Sequence, residues 1–85
     1  MKKYNIIFTF YSTHLALEFE RELKSSEINV KTTPVPRQIS SSCGLSGRIN
    51  DHDLEKVKAL CKEKNIEYED IYKIDGDHFI NISKY

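Results

Sequence analysis

Tyr4, Ile6, Phe8 and Phe10 alternate with Asn5, Ile7 and Thr9, a period of two that predicts a first strand with one buried face. The period then lengthens. Leu15, Ala16, Phe19 and Leu23 recur at helical spacing while Glu18, Glu20, Arg21 and Glu22 take the wet side, so the spacing predicts a helix from about Thr13 to Lys24, capped by Ser12 or Thr13. Ile28, Val30 and Thr32 alternate with Asn29, Lys31 and Thr33 until Pro34 and Pro36 withdraw two backbone donors and end a second strand. Leu45, Gly47 and Ile49 share one face of a short third. Asn50 or Asp51 caps a second helix whose Leu54, Val57, Leu60 and Cys61 form an apolar stripe, with Asn65 as its stop. Tyr68 and Ile71 to Ile74, the turn Asp75-Gly76-Asp77, and Phe79 to Ile82 then predict a fourth strand that turns back into a short fifth.

The order β-α-β-β-α-β with a terminal hairpin strand predicts one α+β domain over residues 1–85, a ferredoxin-like split β-α-β sandwich with two helices on one face of an antiparallel sheet. Following the chain up and down through that topology brings the connection between strands two and three to the end where the first helix starts. Tyr11-Ser12-Thr13-His14 should therefore meet the loop around Cys43, and Asn50-Asp51-His52 should lie at the opposite end.

With 85 residues the chain supports one modest core and no deep substrate cavity. Thirteen basic side chains balance 13 acidic ones, which leaves no field to hold a nucleic-acid backbone. No window approaches the roughly 18 apolar residues of a membrane span. The start Met1-Lys2-Lys3-Tyr4-Asn5-Ile6-Ile7-Phe8 is basic then apolar, but Asn5 and Thr9 interrupt it and no small-residue cleavage site follows, so it reads as a strand and not a signal peptide. Two cysteines without an export signal point to a reducing compartment, the cytoplasm. Cys43, Cys61, His14, His52 and His78 lack the close pairing of a zinc site, and neither a metal nor another cofactor is expected. Gly44-Leu45-Ser46-Gly47 matches a GxxG nucleic-acid clamp only in outline, without basic surroundings.

Cys43 is the candidate for chemistry. It follows Ser40-Ser41-Ser42 and precedes Gly44, a polar and small setting that suits access more than core packing. Amides at the start of the first helix and the charge of Arg37 would stabilise an anionic sulfur, with Ser41, Ser42, Ser12 and Thr13 as neighbours. Gly44 would let the backbone approach the sulfur without a side chain in the way. His14 could orient the sulfur or protonate a leaving group. Cys61, on the buried stripe of the second helix, reads as a packed, inert thiol, and Asp51-His52-Asp53 as a capping segment.

Two segments carry a family resemblance: Phe10-Tyr11-Ser12-Thr13-His14-Leu15-Ala16-Leu17, and the more specific block from Pro34-Val35-Pro36-Arg37 through Ser41-Ser42-Cys43-Gly44-Leu45. The chain resembles the selenium/sulfur (Se/S) carrier protein-like family of small bacterial proteins, formerly a domain of unknown function. The resemblance implies a carrier more than a catalyst: Cys43 would hold sulfane sulfur or selenium as a persulfide or selenopersulfide, accept it from a desulfurase-type donor and pass it to an acceptor protein; a homodimer is a separate option that the resemblance does not imply. Better-known sulfur carriers place their cysteine in a Cys-Pro-x-Pro motif, whereas Thr33-Pro34-Val35-Pro36 has threonine there, so only the Ser41 to Gly44 block carries the role across. Two other readings stand beside this one: a small regulatory or protein-interaction module with an incidental loop cysteine, and a thiol redox sensor that pairs two chains through Cys43.

Overall fold

The computed structural model describes residues 4–83, so Met1-Lys2-Lys3 of the basic start lie outside the described residues. Among the described residues, five strands and two helices follow in the order β1 (Ile6–Thr9), α1 (Thr13–Ser25), β2 (Lys31–Pro34), β3 (Leu45–Ile49), α2 (Leu54–Lys64), β4 (Asp70–Asp75) and β5 (His78–Asn81), with a 3-10 turn over Asp51–Asp53 leading into α2. The strands form one sheet in the order β2-β3-β1-β4-β5, and every neighbouring pair is antiparallel. The chain is thus a small α+β protein.

Register explains which residues form the core. Phe8 of β1 lies opposite Gly47 on one side and Ile71 on the other, and Ile6 opposite Ile49, so these side chains share one sheet face. Ala16, Phe19 and Leu23 of α1 and Val57 and Cys61 of α2 join that same buried cluster, which puts both helices over one face. Phe19 is its centre, with ring centroids 5.0 Å from both Phe8 and Phe10. Gly47 makes the close approach possible: a Cβ there would stand 2.6 Å from Phe19 Cε2 and 2.8 Å from Cδ2. Absence of a side chain at Gly47 sets how near α1 lies to the sheet.

Both helices end in left-handed turns. Ile28 N–H bonds to Leu23 O at 2.9 Å and Glu27 N–H to Lys24 O at 3.1 Å, with Glu27 at φ 59°, while Ile66 N–H reaches Cys61 O at 2.9 Å past Asn65 at φ 56°. The first turn corrects the reading of the second strand. Ile28 is engaged in closing α1, so ladder pairing begins only at Lys31, opposite Arg48. The first strand is also more buried than its alternation implies. Ile7 and Thr9 face away from the helices yet are fully covered, because β1 is central and its neighbours bring Arg48 and Tyr72 beside Ile7. Thr9 is satisfied there, its hydroxyl oxygen accepting from Asp70 N–H at 3.1 Å. At the last hairpin, Asp75 pairs with His78 and Gly76 takes φ 61° in the two-residue turn.

Candidate functional site

The loop between β2 and β3 is closed at its base by a hydrogen bond from Val35 N–H to Gly44 O, 3.0 Å, and held to the domain by Ile39, which is buried. It runs over the end of β1 where Phe10 gives way to α1, whose first turn is capped by Ser12 Oγ accepting from Leu15 N–H at 3.4 Å. There the Cys43 sulfur lies 3.7 Å from the Thr13 hydroxyl and accepts from Leu45 N–H at 3.3 Å. Residues thirty positions apart thus meet at one end of the sheet. Asp51 and His52 are at the other: Asn5, at the start of β1, donates to Asp51 Oδ2 at 3.1 Å and accepts from Asp51 N–H at 3.0 Å. Asn50 Oδ1 accepts from His52 N–H at 2.8 Å, which makes that segment a helix entry.

Cys43 is not the exposed thiol that its serine- and glycine-rich setting suggests; only 8% of its surface is accessible. Composition misleads here because Cys43 is buried although Ser40 and Ser42 beside it are exposed, and Ser41 and Ser42 are engaged elsewhere. Ser41 donates to Glu69 Oε1 at 3.2 Å, Ser42 N–H to the same oxygen at 3.0 Å, and the Ser42 hydroxyl to Glu69 Oε2 at 2.8 Å. Ser41 Oγ also lies 3.4 Å from Phe10 O and accepts from Cys43 N–H at 3.3 Å. The two hydroxyls expected beside a sulfur anion are directed at a carboxylate. The Ser42 amide bond, then the Ser42 hydroxyl, holds the Glu69 carboxyl below its ordinary range, with Ser41 adding to the effect. Glu69 is absent from any motif, but the fold could have revealed it. Thr9 pairs with Asp70, so the entry to β4 lies at the same end as the β2–β3 connection.

The remaining candidates divide. Thr13 reaches the sulfur, and Ser12 serves the helix start. His14 points outward, its side chain 85% exposed and 3.6 Å from Glu18. Arg37 is exposed and makes no hydrogen bond or ion pair with the sulfur among the described residues. Gly44 is exposed with nothing within 4 Å of where a Cβ would stand, so close approach does not require glycine there; its part is the carbonyl that closes the loop. The amide aimed at the sulfur belongs to Leu45, which sequence reasoning missed. Cys61 is buried in the core with its thiol pushed up to about 11 by desolvation. An open groove of about 500 Å³ lined by Glu27, Ile28, Lys56 and Glu63 sits at the C-terminal end of α1, one helix length from Cys43. No described helix is long and apolar enough to cross a membrane.

Comparison with known proteins adds one decisive finding: the family model described as "Putative Se/S carrier protein-like" matches residues 5–73. The chain belongs to that family. The matched span takes in Thr13, Cys43, Leu45 and Glu69, and ends before β5, so every contact to the Cys43 sulfur described above falls inside the Se/S carrier-like region. Neither the curated proteins nor the solved structures yield a match.

Proposed function

We propose that this Se/S carrier-like protein carries one chalcogen atom on Cys43. The observation that supports the reading most is the sulfur's position in a family of that name: at the start of α1, beside the Thr13 hydroxyl and with the Leu45 N–H aimed at it. The Leu45 N–H offers a hydrogen bond to a sulfur held at that position, and the thiol can itself donate to Leu45 O at 3.7 Å. In the loading step the Cys43 thiolate attacks the terminal sulfur of a donor persulfide. The new S–S bond forms as the old one breaks, and the donor leaves as its own thiolate. An acceptor nucleophile then attacks the same terminal atom and releases Cys43 as thiolate. Both steps are exchanges without net oxidation, and selenium follows the same course. The donor is a desulfurase-type enzyme and the setting the cytoplasm.

We read the order β2-β3-β1-β4, with β3 between the parallel β1 and β2, as the ferredoxin-like split β-α-β, extended by β5. That arrangement brings the β2–β3 hairpin loop to the end of the sheet where the helix of the first crossover starts.

The test is to incubate the protein with a desulfurase and cysteine or selenocysteine and weigh the Cys43 peptide without reductant. A gain of one sulfur or selenium atom on Cys43 supports the carrier; its absence, or an adduct on Cys61, ends it. The near burial of Cys43 favours a second reading, an interaction module with an incidental cysteine, which predicts no adduct.

A further inference from the structure

With only 8% of its surface accessible, Cys43 offers little to a partner's persulfide while its loop stays as it is, so what holds the loop bears on when the sulfur is available. Residues on either side of Cys43 are anchored by different means. Before them, Ile39 is buried, and after them the base of the loop is tied by Val35 N–H to Gly44 O. Between these anchors, Ser41 and Ser42 depend on Glu69, whose two carboxylate oxygens receive both hydroxyls and the Ser42 N–H at 2.8–3.2 Å. Ser41 then passes the constraint on, since its Oγ accepts from Cys43 N–H.

Glu69 itself is fixed by the sheet. Its own N–H bonds to Thr9 O at 2.6 Å, so the carboxylate starts from the entry of β4 and reaches across to the loop. A charged acceptor that engages both oxygens is the stronger kind of hydrogen-bond partner. It is also a surface group, open to competition by solvent. Such a clasp holds a segment closed at equilibrium and lets it open without unfolding the sheet.

We propose that Glu69 is a positioning residue for Cys43: through Ser41 and Ser42 it keeps a short strap closed over the sulfur and sets how often that sulfur can be attacked. The role of the strap in transfer rests on the carrier reading; its existence does not.

The experiment measures alkylation of Cys43 and Cys61 separately, by peptide mass spectrometry on the intact folded chain, in wild type, Glu69→Gln and Glu69→Ala. Glu69→Ala should label Cys43 about tenfold faster, which corresponds to ~1.4 kcal/mol less closure. Cys61, shielded by the core, should not change. Glu69→Gln should fall between, because its amide oxygen still accepts from the Ser42 N–H. A bulky maleimide should gain more than a small iodoacetamide. If Gln accelerates Cys43 as much as Ala does, the lost charge and not the strap is responsible, and the proposal falls. It falls equally if Cys43 stays within about twofold of wild type, or if Cys43 and Cys61 accelerate together, which would make Glu69 a support of the whole fold. No chalcogen enters this assay. Rates as expected with no adduct from a desulfurase would leave the strap standing and remove the carrier; an adduct with unchanged rates would do the reverse.

Discussion

Replacing Gly47 with alanine adds one methyl group at the most crowded point between α1 and the sheet. The new Cβ would stand 2.6 and 2.8 Å from two ring atoms of Phe19 and 3.7 Å from Phe10 Cε2. Carbon atoms rest at about 3.5–4.0 Å, so the ring must retreat by roughly 1 Å. It has nowhere open to go: Phe19 is fully buried, with the Phe8 and Phe10 rings each 5.0 Å away. Overpacking of this kind costs about 1–3 kcal/mol. Removing a glycine from a strand interior returns about 0.5–1 kcal/mol, because the unfolded chain loses freedom. With the ring enclosed, the upper part of that overpacking range applies, about 2–3 kcal/mol, so the net expectation for Gly47→Ala is a loss of about 1–2.5 kcal/mol. For a domain of this size that is a fall of roughly 5–15 °C in melting temperature, measured by circular dichroism. The cause can be isolated with a second change. Phe19→Leu makes room, so the double variant should be less destabilised than the sum of the two singles by at least ~0.5 kcal/mol. Because the same contact sets the height of α1, Gly47→Ala should also loosen Thr13 from the sulfur and raise Cys43 labelling. An unchanged or higher melting temperature, or strict additivity with Phe19→Leu, would refute the argument that an empty Gly47 seats the helix.

Two further outcomes are expected. Glu27 is an L-residue held at φ 59°, a conformation that costs such a residue about 1–2 kcal/mol. Glu27→Gly should therefore stabilise the protein by about 0.5–1 kcal/mol after the entropy of the added glycine, leaving Cys43 labelling unchanged. The lowered carboxyl of Glu69 gives the acid limb a definite sign. Its contribution is complete above the unfolded carboxyl value and disappears as pH falls through the lower folded one. Urea midpoints of wild type should therefore drop toward those of Glu69→Gln as pH is taken below about 4.5; a difference that persists undiminished in acid would contradict the assigned bonds.

Much of the architecture is legible in periodicity, because each element carries the pattern of the face it buries. Phe19 and Leu23 mark the inner side of α1, Val57 and Cys61 that of α2, and Leu45, Gly47 and Ile49 the inner side of β3. What periodicity cannot supply is burial that depends on neighbours in space. Ile7 and Thr9 look wet by alternation but are covered because β1 is flanked on both sides. The meeting of Thr13 with Cys43 follows from topology alone and needs no motif. The accessibility of Cys43 does not, since local composition gives no sign that a carboxylate 27 positions from Ser42 would bind the two serines before the cysteine. Arg37 shows the converse: charge near a cysteine in the chain is not charge near its sulfur; and His14, next to Thr13, points outward.

The central place of β1 also governs when the site comes into being. Its partners are Ile49 on one side and Lys73 on the other, both far along the chain from Ile6, so the sheet closes only through distant contacts. Pairings of that kind must first overcome the entropy of closing long loops, which slows folding relative to a helical bundle of the same length. A ribosome delivers Thr13 first, Cys43 next and Glu69 last. During synthesis Cys43 therefore emerges ahead of the carboxylate that will take up Ser41 and Ser42. The burial of Cys43 is thus a property of the finished fold, in which its loop, α1 and the entry of β4 are all in place.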